Sequence, residues 1–272
     1  MGELIKLENF SKIVPYAEMF REGLTVTVLL ALFTVIIGFA LALVLAVMRL
    51  SNFTPFLWLS RAFPGVFGFF EYDKYGSKRT EGFLYHLGRF NPLDLLATAY
   101  VEIIRSTPVL VQISIIYYGV FSVIDLPHFT MFGFIKFHRF FPGVVALGIN
   151  SGAYLCEIIR SGMQSVDGGQ SEAARSLGLS SFQTLRHIIM PQAIRNILPA
   201  IANEFVVIIK ESAITYTIGV SDIMSAVWAV KGATFIIMEP LLVATAIYFC
   251  LCFPTSKLIA YVERRMSRGS KR

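Results

Sequence analysis

Hydrophobic positions in this chain fall in long runs, not in the alternation of a strand or the one-sided stripe of a water-soluble helix. The run Leu24–Met48 contains no charged residue. A helix needs about 20 mostly apolar residues to cross the hydrocarbon core of a bilayer. On that measure the pattern predicts an all-α integral membrane protein with one domain over 1–272 and five transmembrane helices. The spans fall at about 24–48, 107–124, 140–156, 197–220 and 236–262. The third is short. The fourth is interrupted by Glu204, Lys210 and Glu211, and the fifth by Glu239 and Lys257. The Lys257 stem can snorkel its ammonium to the headgroups.

Charge sets the orientation. With five spans, seventeen Lys and Arg residues lie on one side and six on the other, with Lys210 left inside a span. The basic side faces the cytoplasm, so the N-terminus is expected outside and the C-terminus inside. Thr54–Phe70 is apolar apart from Arg61. If it crossed, the charge bias of most later loops would reverse. The segment about 54–92 therefore reads as a cytoplasmic or interfacial excursion, and Phe67, Phe69, Phe70, Tyr72 and Tyr75 suit a membrane surface.

Composition agrees. Hydrophobic residues make up 55% and charged residues 15%, with a mean hydropathy of +0.65, against about 25% charged in an average soluble domain. The net charge of +6 is concentrated between the runs and in the tail, which fits anionic lipid and not nucleic acid. Cys156, Cys250 and Cys252 sit in apolar runs with no metal or redox spacing. The first twenty residues are too polar for the apolar core of a signal peptide.

The segment 167–191, between the third and fourth runs, carries local helix signals. Asp167 with Gln170 and Ser180 with Gln183 have the spacing of capping pairs. Ser171–Leu177 is a helix former, Gly178 a natural stop, and Pro191 a bend or restart. Two short helices around a tight glycine turn are expected. Ala173 and Ala174 would allow close approach of another surface, and Leu177 and Leu179 would give it something apolar to bury. An ordinary loop between spans explains the same features.

The residues also resemble a known family. Glu172-Ala173-Ala174, then Gly178, Ile189 and Pro191, resemble the EAA loop of ABC importer permeases. Glu102-Ile-Ile-Arg105-Ser-Thr-Pro108, Asn150-Ser-Gly152-Ala-Tyr154, Glu157-Ile-Ile-Arg160, Asn203-Glu204-Phe205 and Lys210-Glu211-Ser212 look like further segments of its polar amino-acid branch (histidine, arginine, lysine, glutamine or glutamate type). Residues 62–92 look like an insertion. The resemblance implies a type I importer permease fold. It implies that Gly169, Glu172, Ala173, Ala174, Leu177 and Gly178 form a coupling helix seated on a separate ATP-binding cassette ATPase dimer, which holds the ATP and Mg. It also implies a second permease subunit, identical or a sister chain, an extracellular or periplasmic substrate-binding protein, and a location in the bacterial cytoplasmic membrane.

Ionisable groups inside a span usually face the protein interior or a wet cavity. Asn203 shares a helix face with Lys210, and Glu204 with Glu211. These four, with Asn150, Tyr154 and Thr215, are candidate substrate-pathway residues, because a zwitterion is held best by both signs of charge. An internal ion pair or a gate between subunits is the competing reading of the stripe. Glu102 and Arg105 read as gate or structural residues. Gly148 and Gly152 form a small-xxx-small pair that permits close helix packing.

The chain contains no G-x-x-x-x-G-K-[ST] phosphate loop, no catalytic triad and no H-E-x-x-H motif, and its four histidines are scattered. An enzyme reading has no support, and no cofactor is expected in this chain. A stand-alone secondary transporter or channel, or a membrane scaffold, remains the alternative. The former usually needs more spans or an inverted repeat.

Overall fold

The computed structural model describes residues 5–51 and 90–268. The excursion expected over 54–92 lies outside the described residues except for 90–92, as do Lys271 and Arg272. The helices are α1 (Leu7–Ser11), α2 (Ala17–Leu50), α3 (Pro92–Arg105), α4 (Val109–Ser114), α5 (Phe137–Gln164), α6 (Gly168–Ser176), α7 (Ser181–Thr184), α8 (Met190–Glu211), α9 (Ile223–Thr234) and α10 (Met238–Arg268). A small antiparallel hairpin, β1 (Thr130–Met131) and β2 (Ile135–Lys136), pairs Thr130 with Lys136 just before α5.

α2 and α5 form the central pair. α2 buries Val26, Leu30, Ala31, Thr34, Gly38, Ala42 and Leu45 and exposes Phe33, Ile36, Phe39, Leu43 and Val47. A helix apolar on both its inner and outer faces is built for lipid. Gly148 and Gly152 on α5 meet α2 directly. A Cβ on Gly148 would lie 2.9 Å from Ile37 Cγ2, and one on Gly152 would lie 2.8 Å from Leu41 Cδ2. In lipid such close packing drives association where the hydrophobic effect cannot. The approach of α8 to α5 is tighter still, since a Cβ on Gly162 would come within 2.2 Å of Ile197 Cγ1. Gly152→Leu is therefore expected to separate α2 from α5 and destabilise the protein by about 1–3 kcal/mol, read as a lower melting temperature in detergent. An unchanged melt would contradict the packing.

Three described helical stretches are long and apolar enough to cross a membrane: Leu7–Leu50, Phe137–Gln164 and Met238–Met266. A fourth span exists if the bent pair α3–α4 counts as one. Two of the expected spans differ from the sequence reading. The span expected over 107–124 is not a straight helix. α3 ends at Arg105, and the chain turns by 106° before Val109–Val120, whose second half is π-helical. Pro108 is the cause, because it lacks the N–H that the Ile104 carbonyl would accept and disfavours a helical conformation before it. The span expected over 197–220 is α-helical only as far as Glu211 and continues as a 3₁₀ turn, Ser212–Ile218. There the hydroxyls of Ser212, Thr215 and Thr217 donate to carbonyls three residues back, at 2.7–2.8 Å. This is the side-chain competition that tightens a helix. Gly219, at φ +79°, stops the turn.

Candidate functional site

Four features make up the candidate site among the described residues. The first is the 167–191 segment. Asp167 caps α6 by accepting from Gly169 N–H at 2.8 Å. Its side chain is not answered by Gln170, so only the second of the expected capping pairs closes into a full box. There Ser180 accepts from Gln183 N–H at 3.2 Å and Gln183 accepts from Ser180 N–H at 2.8 Å. α6 ends in a Schellman turn, with Gly178 N–H donating to Arg175 O and Leu179 N–H to Ala174 O. Gly178 adopts φ +85°. Pro191 opens α8 without a break, because the preceding turn Leu185–Ile189 widens to π-helix and absorbs the missing donor.

Exposure divides the segment's residues. Gly169, Glu172, Ala173, Leu177 and Gly178 face outward, whereas Ala174 is buried against the chain itself. Ala174 therefore positions the helix and does not offer it to a partner. Leu177 is 82% exposed, and beside the glycine turn Phe182 is 68% exposed. Sequence reasoning passed over Phe182. Its signal was an aromatic residue on the first turn of a capped helix in an otherwise polar segment.

The second feature is a charge hub where the C-terminal ends of α2, α3 and α5 meet. Glu157 accepts from Arg49 Nη1 at 2.9 Å and from Arg160 Nε at 3.0 Å, and Arg105 lies at 4.0 Å. Arg49 also faces Asp94 at 3.9 Å, and the Arg105 guanidinium sits 5.6 Å from the centre of the Tyr154 ring. Arg105 and Tyr154 are thus brought together, while Glu102 is exposed. The hub's centre, Glu157 with Arg49, was not singled out from sequence. Its partners lie more than a hundred residues apart, and no spacing rule joins them.

The third feature holds the bend between α3 and α4. Gln112 Nε2 donates to the Ile104 carbonyl at 2.7 Å and to the Thr107 carbonyl at 3.0 Å. It replaces the donor that Pro108 lacks. Its carbonyl oxygen accepts from Asn150 Nδ2 on α5 at 2.8 Å. Asn150 is buried and committed to this knot.

The fourth feature is the polar stripe of α8, which divides into two faces. Glu204 is buried and Glu211 half-buried, both toward the bundle, whereas Asn203 and Lys210 are exposed. Among the described residues no salt bridge within 4 Å engages Lys210 or Glu211, although the Lys210 ammonium lies near enough to act on the Glu211 carboxylate through space. Thr215 is buried in the 3₁₀ turn, its hydroxyl donating to Ser212 O. Near the start of α5, where Arg139 Nη1 donates to the Gly219 carbonyl at 3.3 Å, the structure brings together two of the scattered histidines, His128 and His138, with ring centres 4.4 Å apart. Among the described residues no cluster of three or more His, Cys, Asp or Glu side chains could hold a metal.

Comparison with known proteins places this arrangement. Residues 82–268 match the model of the binding-protein-dependent transport system inner membrane component. The chain is 33% identical to the arginine transport system permease protein ArtQ of Bacillus subtilis over 258 residues, 95% of this chain and 97% of the relative. It is 40% identical to the putative glutamine transport system permease protein GlnP of Rickettsia typhi over 174 residues, 64% and 76% of the two chains. A crystal structure of an amino acid ABC transporter with histidines superposes with a TM-score of 0.74 at 36% identity, covering 94% of this chain and 98% of that one. The inward-facing MetNI methionine ABC transporter shares the fold, with a TM-score of 0.63 at 13% identity over 93% and 98% of the chains. Members of this group are permease subunits and not enzymes, with ATP hydrolysis in a separate subunit. The chain belongs to the family of binding-protein-dependent transport system inner membrane components, the multi-pass permease subunits of ABC transporters.

Proposed function

We propose that this permease subunit imports polar or charged amino acids. Two permease chains, identical or sister subunits, enclose the path and move by alternating access. A separate ATPase dimer holding ATP and Mg²⁺ supplies the energy, and an extracellular or periplasmic binding protein delivers the substrate. The arginine and glutamine systems named among the relatives support the substrate class. In this reading the N-terminus lies outside. The C-terminal ends of α2, α5 and α10 and the 167–191 loop face the cytoplasm, which the seventeen-to-six distribution of basic residues over five expected spans supports.

The observation that carries the reading is Lys210, an exposed ammonium on a helix of the membrane bundle with no salt bridge among the described residues. A charge against lipid, without a close ion-pair partner, costs about 3 kcal/mol near the bilayer centre. The face of α8 bearing Asn203 and Lys210 therefore belongs against a second permease chain and a wet path. Lys210 serves the substrate carboxylate, while Glu204 and Glu211 supply negative charge from the bundle side, near Thr215. Tyr154 and the buried Asn150 line and brace the same route, and Glu102 and Arg105 gate its cytoplasmic end. Gly169, Glu172, Ala173, Leu177 and Gly178 couple to the ATPase, with Ala174 supporting them from behind.

Charged hydrogen bonds contribute about 1.5–3 kcal/mol. Lys210→Met, in vesicles carrying the ATPase and the binding protein, is therefore expected to lower amino-acid uptake by about tenfold or more. Uptake equal to wild type would reject this placement of the path.

A further inference from the structure

A cavity of about 720 Å³ opens between the C-terminal end of α5, the N-terminal half of α8 and the C-terminal end of α10. Its wall includes Asp167, Gln192, Arg195, Asn196, Asn203 and Glu263. The volume lies within the range of small-molecule sites, about 300–1,000 Å³, and comfortably holds an amino acid. We infer that this cavity is a cytoplasmic binding site for a zwitterionic α-amino acid, through which accumulated product slows further import. The inference rests on the import reading above.

The wall carries charge of both signs. Arg195 offers a guanidinium to a carboxylate, while Asp167 and Glu263 offer acceptors to an ammonium group. Neither Arg195 nor Glu263 is engaged in a salt bridge with another described residue. Pro199 also lines the cavity and, lacking an N–H, makes no hydrogen bond to the Arg195 carbonyl one turn below. Two other polar groups are already fixed and hold the wall in shape, since Asn196 Nδ2 donates to Ser165 Oγ at 2.8 Å and Gln192 Nε2 to the Ile188 carbonyl at 2.9 Å.

The position links the cavity to both ends of the transport cycle. Asn203, in the wall, is the first residue of the α8 polar stripe. Asp167, also in the wall, caps α6 through Oδ1. A product that binds here touches the residue that anchors the coupling helix. A ligand that prefers one of two conformations shifts the population toward it, so a filled cavity retards the next cycle by holding one arrangement of α6 against α8.

The test uses the whole complex in vesicles, with ATP and the cytoplasmic face in the lumen and receptor and labelled substrate outside. The lumen is preloaded with graded L-arginine, L-glutamine, or agmatine, which lacks the carboxylate. L-arginine and L-glutamine are expected to lower the initial import rate, and agmatine to leave it unchanged. Arg195→Gln and Glu263→Gln should raise the half-inhibiting concentration by about tenfold, the loss of one charged hydrogen bond. Import into unloaded vesicles should stay at the wild-type rate in both variants. An import rate insensitive to luminal amino acid would overturn the site. So would inhibition by agmatine equal to that by arginine, or inhibition curves unchanged in both variants. Failure of unloaded wild-type vesicles to take up any amino acid would sink the import reading itself, and this site with it.

Discussion

Gly178→Val should leave a permease that inserts in the membrane but no longer responds to its ATPase. Gly178 adopts φ +85°, and nothing lies within 4 Å of where its Cβ would be. The penalty is therefore conformational and not steric crowding from neighbours. A left-handed backbone costs an L-residue about 1–2 kcal/mol, and a β-branched side chain is worse placed still. The strain is relieved by unwinding the Schellman turn, which releases the carbonyls of Ala174 and Arg175 and turns the exposed Leu177 away. Uptake should fall to background while the amount of permease in the membrane stays near wild type. Gly178→Asn is the discriminating control, because asparagine tolerates this conformation. It should restore most of the transport. If valine and asparagine behaved alike, the turn geometry would not be what coupling requires.

Removing the Glu157 carboxylate is expected to have the largest effect on stability. Glu157 is the acceptor that Arg49 and Arg160 share, and Arg49 is only 14% exposed at its side chain. Glu157→Leu would leave that guanidinium partly buried beside Arg105 and Arg160, with Asp94 its remaining counter-charge at 3.9 Å. Breaking a buried pair from one side costs about 3–5 kcal/mol. The exposure of Glu157 and Arg160 puts the expectation at about 3 kcal/mol, the lower end of that range. The measurement is thermal unfolding of the purified protein, compared with the double variant Arg49→Met/Glu157→Leu. The double variant should recover part of the loss, since no charge at Arg49 is then stranded. A double variant less stable than the single one would show that the hub works through packing and not through charge.

How much was legible in the sequence depended on the range of the cause. Local causes could be read. The lipid runs gave α2 and α10 their places, with ends shifted by several residues. Ser180–Gln183 closed as its spacing required, and Gly178 stopped α6. Gly148 and Gly152 marked the face that α5 presents to α2. Distant causes could not. The bend at Pro108 was suppressed by reading 107–124 as one apolar run, although the proline itself was visible. Its compensation by Gln112 and Asn150 needs the fold to bring residues 38 positions apart within 2.8 Å. The 3₁₀ turn after Glu211 was hidden because Ser212, Thr215 and Thr217 look innocuous in a hydrophobic run until their hydroxyls bond backward. The polar stripe of α8 is visible in the spacing, but its division into an inward acidic face and an outward face with Lys210 follows from packing. The hub at Glu157 and the cavity at Arg195 are assemblies of three helices each, and periodicity within one helix shows only the Glu157–Arg160 pair of the hub.

The proposed seat of the ATPase on the 167–191 segment is tested by a benzophenone-bearing residue placed at position 177, in the complex assembled in the membrane. Leu177 is 82% exposed beside the glycine turn, and Phe235, 92% exposed at the turn between α9 and α10, provides the control at the opposite end of the bundle. Illumination should give an adduct between position 177 and the ATPase subunit and none from position 235. An ATPase adduct from position 235, with none from 177, would show that the ATPase docks elsewhere.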